Sequence, residues 1–347
     1  MQKLLRLSSF PHPIHSYPWS HLMQYLALVA LILSQQQTEK PDRLAYPGKE
    51  ESSAKVVLIA GDEEYRSEEA LPQLAKILSK QHGFKTVVLF PIDPKNGTIN
   101  PNVNNNIPGL EELRNADLMI LALRFRNLPD KQMKEIADYL DSGRPIIALR
   151  TSTHAFNMSK ESKYAYWSWN NSGRWKGGFG KEILGETWVS HHGHHGKEST
   201  LGLFGPGKET HPVLKGIKTG EIWGPTDVYG VTLPKDADTL VLGQVLSGMT
   251  KETKPVEGAK NEPMMPVVWT RAVKSSSGKV AKVLTTTMGA SQDLENEAFR
   301  RLLVNGTYWS LDKEIPDSVK VDIEGSYKPS KFSFNGFVRE KKPSDYR

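Results

Sequence analysis

Apolar residues in this chain fall into short blocks separated by polar turns. Lys55-Val56-Val57-Leu58-Ile59-Ala60 is apolar after its lysine, too short for a helix, and closed by Gly61. Runs of this kind mark strands buried on both faces of a parallel sheet. Leu71, Leu74, Ile77 and Leu78 then recur at helical spacing and stop at Gly83. Ser67 is the expected N-cap, with Glu68 and Glu69 as solvated first-turn carboxylates that complement the helix dipole. Thr86-Val87-Val88-Leu89-Phe90 reads as a second strand, residues 118–123 as a third, 131–140 as a helix and 145–149 as a fourth strand. Strands alternating with helices at this spacing predict an α/β fold with a parallel sheet and right-handed crossovers.

Past residue 160 the pattern changes. Residues 164–204 are rich in Trp, Gly, Asn and His, with short strand candidates at 187–190 and 201–204. Apolar strands are expected at 266–269 and 282–286, and a last amphipathic helix at about 294–311. Beyond Asp312 no period survives, so residues 313–347 read as a tail that wraps the surface or stays mobile. No internal repeat is present.

The N-terminus carries a different signal. No Lys, Arg, Asp or Glu occurs from Ser8 to Thr38, and residues 26–33 are continuously apolar. Eight residues cannot span a bilayer, which needs about 20, but they fit the hydrophobic region of a signal peptide. Residues 1–37 are therefore expected to export or tether the protein, with Met23 as an alternative start, and 38–54 to be a polar linker to a domain at 55–312. The implied location is secreted or periplasmic, with membrane contact only through this segment.

Composition narrows the chemistry. The formal net charge is +6, yet acidic and basic residues are interleaved and no basic stripe forms, which argues against nucleic acid. There is no cysteine, so disulfides, thiolate nucleophiles and cysteine metal sites are excluded. A nucleophile elbow G-x-S-x-G is missing as well, and Gly173 to Gly180 lacks the strand-to-helix context of a dinucleotide fingerprint. A homo-oligomer is compatible with this composition.

Parallel sheets bind ligands beyond the carboxyl ends of their strands. The first such loop holds Asp62, Glu63 and Arg66, the third strand ends in Arg124 and Arg126, and the fourth in Arg150, Thr151 and His154. Arginines just past buried strands either pair with carboxylates or clamp a polar ligand. The densest cluster is Ser190-His191-His192-Gly193-His194-His195-Gly196, four of the chain's ten histidines in five residues. In an extended segment residues i and i+2 share a face, which makes His192 and His194 the candidate pair for a metal; no further ligand is dictated, and Glu186, His211 and Asp227 are only nearby in number. No H-E-x-x-H spacing supports that ion, so a divalent metal is left open and no other cofactor is indicated. The alternatives for the loop are acid/base or sugar-binding histidines and a purely structural turn.

Val57 through Arg66, Gly143 through Phe156, Gly177-Gly178-Phe179-Gly180, the histidine loop, His211-Pro212, residues 285–289 and residues 300–305 together resemble the ThuA-like, or trehalose-utilisation, family. The likeness runs over about residues 55–311 and is closest to exported proteins of environmental bacteria. It implies a three-layer α/β sandwich with a mostly parallel central sheet, flavodoxin-like or glutamine-amidotransferase-like. Where catalytic members of that superfamily carry a cysteine, this chain has Leu149-Arg150-Thr151, so release of ammonia from glutamine is not expected. The family link further implies catabolism of trehalose or related disaccharides, including 3-keto sugars. The leading expectation is acid/base chemistry on a small-molecule sugar by His191, His192 and His154 with Asp62 or Glu63. Arg66, Arg124, Arg126, Arg150, Thr151, Trp188 and Asp227 are the expected substrate contacts. The alternatives are a non-catalytic sugar-binding module and a metal-dependent hydrolase using the histidine loop.

Overall fold

A computed structural model describes residues 40–347; the expected export segment lies outside the described residues. No helix among them is long and apolar enough to cross a membrane. Ten strands form one sheet in the order β1-β3-β2-β4-β5-β10-β9-β8-β6-β7. They are β1 (Arg43–Tyr46), β2 (Lys55–Gly61), β3 (Lys85–Leu89), β4 (Leu118–Leu123), β5 (Ile146–Leu149), β6 (Ser199–Phe204), β7 (Ile222–Gly224), β8 (Asp238–Leu246), β9 (Met265–Lys274) and β10 (Val280–Thr286). The main helices are α1 (Ser67–Lys80), α2 (Asp130–Asp141) and α3 (Glu297–Ser310).

The sheet is mixed, and this corrects the expectation of a mostly parallel one. Strands β3, β2, β4, β5 and β10 are parallel neighbours, with Val57 opposite Val87 and Met119, and Leu284 opposite Ile147. From β10 onward through β9, β8, β6 and β7 every pairing is antiparallel. The reason is legible in hindsight: only residues 275–279 separate β9 from β10, and a parallel return needs a crossover of a dozen or more residues. A loop of five closes a hairpin.

Alternate side chains of β2 serve the two faces. Val56, Leu58 and Ala60 pack with Leu71, Leu74 and Leu78 of α1 and with Phe299, Leu302 and Leu303 of α3. Val57 and Ile59 pack with Met133, Ile136 and Leu140 of α2. Strand β2 is thus apolar on both sides because helices cover both, which accounts for its unbroken run.

Two local expectations at α1 are revised. Ser67 is inside the helix, and its hydroxyl accepts hydrogen bonds from the Gly61 and Asp62 amides at 3.1 and 3.0 Å. The residue before the helix is Arg66, in the left-handed region at φ 59°. Glu68 and Glu69 are buried rather than solvated. Within the stretch read as linker, residues 43–46 form β1, antiparallel to β3, where Leu44 and Tyr46 find apolar cover. Residues 313–347 run along the domain and bury Ile315, Val319, Val321 and Phe332.

Candidate active site

Loops after β2, β4, β5 and β10 meet at one edge of the sheet. The Arg124 amide donates to Gly61 O at 2.9 Å, Phe125 to His154 O at 3.0 Å, and Arg150 to Met288 O at 3.0 Å. This edge lies where β2 is flanked by β3 and β4, the switch point at which open α/β sheets bind ligands. Three non-glycine residues on these loops, Arg66, Phe125 and Arg150, adopt positive φ of 59°, 47° and 44°. Each such conformation costs of order 1–2 kcal/mol, and the packing around the loops holds it.

The histidine loop folds over the same edge. Residue 191 bridges to Tyr229, and the amides of His192 and Gly193 both donate to Val228 O, at 2.8 and 2.9 Å. Two histidines are brought together, and they are not the expected pair. His191 and His195 have ring centroids 4.9 Å apart and both address Asp227. His191 Nδ1 is 2.7 Å from Asp227 Oδ2, and His195 Nδ1 is 3.2 Å from Asp227 Oδ1. His192 turns away to Lys260 O at 2.9 Å, while His194 is exposed and held through its backbone, its amide donating to Glu198 and its carbonyl accepting from the Lys197 and Glu198 amides. The chain turns at residues 195–197 instead of running extended, so spacing i, i+4 is what meets.

Asp227 sits on a buried cation. Arg150 donates from Nη2 to Asp227 Oδ1 at 2.8 Å and to Tyr65 Oη at 3.0 Å, and from Nη1 to the carbonyls of Asp227 and Thr287, both at 2.7 Å. Its guanidinium carbon lies 4.4 and 4.0 Å from the ring centroids of Tyr65 and Tyr229. Burial pushes the Asp227 carboxyl up, but Arg150 and the two histidine hydrogen bonds outweigh it and hold the group below the usual carboxylate range. Asp227 is therefore an anion at any working pH.

His195 stands between two carboxylates, since its Nε2 lies 3.2 Å from Glu64 Oε1. The Asp227 hydrogen bond raises its pKa, burial opposes, and the charges of Asp227 and Glu64 add to the rise. Burial and Asp62 raise the Glu64 carboxyl against the pull of Arg124, Arg150 and His195. A protonated His195 donates from both ring nitrogens. His191 places Nδ1 against the Asp227 carboxylate and leaves Nε2 on a half-exposed ring, free of that contact.

The other predicted residues divide between cleft and scaffold. Glu63 is held by Arg124 and, at 3.3 Å, by Arg126; burial and Asp62 raise its pKa while the two arginines lower it. Asp62 is buried and acts as a staple, with Oδ1 accepting from the Glu64 and Tyr65 amides and Oδ2 from the Thr151 hydroxyl at 2.5 Å. Arg66 is fully buried and donates to the carbonyls of Glu63, Glu64 and Ser333, so it does not face the cleft. Arg126 is likewise buried and donates to the carbonyls of Pro101, Val103 and Arg124. His154 lies beneath the aromatic wall, and burial followed by the charges of Arg124 and Arg150 drives its pKa far down, leaving it neutral. That state does not suit a proton donor.

Ring contacts run around the site from Arg124 to Phe332, and the chain through Ser333 carries them on to Phe334. Arg124 lies over Phe125 (4.6 Å), Phe125 against His154 (5.0 Å), and His154 against Trp188 (5.6 Å). Trp188 meets His191 (5.7 Å), His191 meets His195, and His195 meets Phe332 (5.4 Å). Phe334 returns to Arg124 at 5.0 Å. Glu64 spans the circuit from His195 to Arg124 Nε, 3.6 Å away on its other oxygen. Sequence reasoning missed Glu64, Tyr65, Tyr229, Phe332 and Phe334, and favoured His192 over His195. Tyr229 lies two residues beyond Asp227, a period-2 signal that could have been used; nothing local marks the two phenylalanines.

A separate open depression of about 690 Å³, lined among others by His211, Lys215, Lys282 and Trp309, lies toward the amino-terminal half of β10. Two of its lysines are committed, Lys215 to Ile315 O and Asp317, Lys282 to Trp309 O and Asp312.

The family model for trehalose utilisation, ThuA, matches residues 55–310. No curated protein matches the chain. Among solved structures, a ThuA-like protein from Parabacteroides merdae is 14% identical, covering 83% of this chain and 100% of its own, with a TM-score of 0.47. The mmIFT52 N-terminal domain is 13% identical over 76% of this chain and 100% of its own, with a TM-score of 0.41. The exo-β-1,4-mannosidase Op5Man5 from Opitutaceae bacterium strain TAV5 is 10% identical over 87% of this chain and 44% of its own, with a TM-score of 0.32.

Proposed function

The chain belongs to the trehalose-utilisation family, and on that premise we propose that it is an enzyme of disaccharide catabolism working by acid/base chemistry at the His191–Asp227–His195 cluster. The observation that carries this reading is the unequal roles of two neighbouring histidines on one buried carboxylate. His191 offers an acceptor nitrogen, while His195, between Asp227 and Glu64, is built to hold a proton. A base and an acid 4.9 Å apart, centroid to centroid, can remove a proton beside a sugar carbonyl and return one to the oxygen. Such an isomerisation or elimination needs no covalent nucleophile, in keeping with the absence of cysteine. Arg124 is placed to donate to sugar hydroxyls, and the half-buried rings of Phe125, Trp169 and Trp188 offer flat apolar faces.

The test is turnover. Full-length protein is incubated with trehalose, its 3-keto derivative and matched unoxidised disaccharides, and products are followed by NMR in deuterated buffer. Deuterium entering at carbon beside the carbonyl supports the reading. Binding without any exchange or product would favour a non-catalytic sugar-binding module.

One observation favours a second reading. Ligand atoms of His191, His195 and Asp227 lie within 4.8 Å of one another, a two-histidine, one-carboxylate set that suits zinc, iron or manganese. The pairing of Asp227 with Arg150 weighs against it, because a guanidinium beside a divalent ion is repelled. Metal analysis of protein purified without a polyhistidine tag separates the two: stoichiometric metal lost in the His191→Ala variant would replace acid/base chemistry by metal-assisted hydrolysis.

A further inference from the structure

We propose that residues 330–336 of the C-terminal tail are a fixed wall of the binding cleft, and that Phe334 is the platform on which one pyranose ring of a carbohydrate ligand stacks. The inference rests on the carbohydrate reading above and adds to it a second subsite outside the acid/base cluster.

The tail is held at this point by polar ties that a merely surface-covering segment does not need. Ser330 donates its amide and hydroxyl to the buried Glu69, each at 2.7 Å. The Ser333 amide donates to Glu64 O at 3.0 Å, and Ser333 O accepts from the buried Arg66 at 2.9 Å. Asn102 Nδ2 donates to Asn335 Oδ1 at 2.8 Å. Arg66, expected to contact substrate, and Glu69, expected to be solvated, are both buried and bonded to this strap instead.

The two phenylalanines flanking Ser333 behave differently. Phe332 is buried against Tyr65 and His195, with centroids 5.3 and 5.4 Å away. Phe334 is 57% exposed, the one aromatic ring among the four exposed large hydrophobic residues of the described chain. It is raised there by a tight turn in which Asn335 takes φ 56° and the Gly336 amide donates to Ser333 O at 3.2 Å. Arg124, 5.0 Å from the Phe334 centroid, is the same residue that clasps Glu63 on the cleft floor. An exposed aromatic ring beside a hydrogen-bonding cation suits a sugar, whose C–H face stacks while its hydroxyls accept from the guanidinium. The family match ends at residue 310, so this wall lies outside the part the family model describes.

Calorimetric titration of full-length wild type, Phe334→Ala, Phe334→Trp and the control Val338→Ala with trehalose and 3-keto-trehalose tests this. The expected result is affinity weakened by about tenfold in Phe334→Ala, recovered in Phe334→Trp, unchanged in Val338→Ala, with melting temperatures alike. Equal binding by wild type and Phe334→Ala would overturn the platform and leave the carbohydrate reading standing. A loss that follows a falling melting temperature and is not recovered by tryptophan would overturn it too, as a folding effect. Wild type that binds neither sugar overturns both readings together.

Discussion

His191 and Asp227, thirty-six residues apart, are joined by a 2.7 Å contact from Nδ1 to Oδ2, and the partner oxygen of the same carboxylate is held by Arg150. One buried anion therefore orients the imidazole, fixes its tautomer, and is itself fixed by a cation from the neighbouring strand-end loop. Removing the imidazole should cost chemistry and little else. His191→Ala is expected to lower kcat by about 10²–10⁴-fold, the range for a lost general base, because the ring is exposed enough to add little to the fold. Steady-state kinetics alongside thermal melting check this; a kcat within a few-fold of wild type would remove His191 from the mechanism.

Arg150 should behave in the opposite way. Read as a strand-end arginine it looks like a substrate clamp, but its guanidinium is buried among Asp227, Thr287, Tyr65 and Tyr229. Arg150→Ala removes the buried cation from Asp227 and leaves only the two half-exposed histidines to hold it, and breaking a buried pair costs about 3–5 kcal/mol. Denaturant unfolding should show that fall. A variant as stable as wild type would place the arginine in solvent and undo the geometry described above.

The pH response follows from His195. Its folded pKa is raised, so its contribution to stability is fully present below the ordinary histidine value of about 6.5 and is lost as pH rises through the raised folded value. Activity that needs the imidazolium should fall over the same alkaline window, and His195→Gln should flatten that limb. NMR titration of the ring is the direct measurement. A midpoint at or below that of free histidine, moving upward after chelation, would point to a bound cation instead.

Export is tested in the native host. Intact-mass analysis should find the mature chain starting near residues 34–37, or the whole chain in the membrane fraction, as the apolar run at 26–33 predicts. A full-length species in the cytosol would exclude both.

Much of the scaffold was readable because it depends on short-range geometry. A strand covered on both faces must be apolar at every position, so β2, β4 and β5 announce themselves in sequence, and with them the loops that carry Glu63, Arg124 and Arg150. The lack of cysteine excluded thiol chemistry outright, and motifs spread over residues 55–311 carried the family. Tertiary structure alone decided which polar groups meet. Whether His192 pairs with His194 or His191 with His195 depends on how residues 193–198 turn: the His192 and Gly193 amides anchor the segment on Val228 O, and the Lys197 and Glu198 amides close the turn on His194 O. Glu69 looks solvated until Ser330, 261 residues later, bonds to it. Period and composition report what each residue needs from its immediate neighbours on the chain. They carry no information about which distant segment supplies it, because that choice belongs to packing between elements.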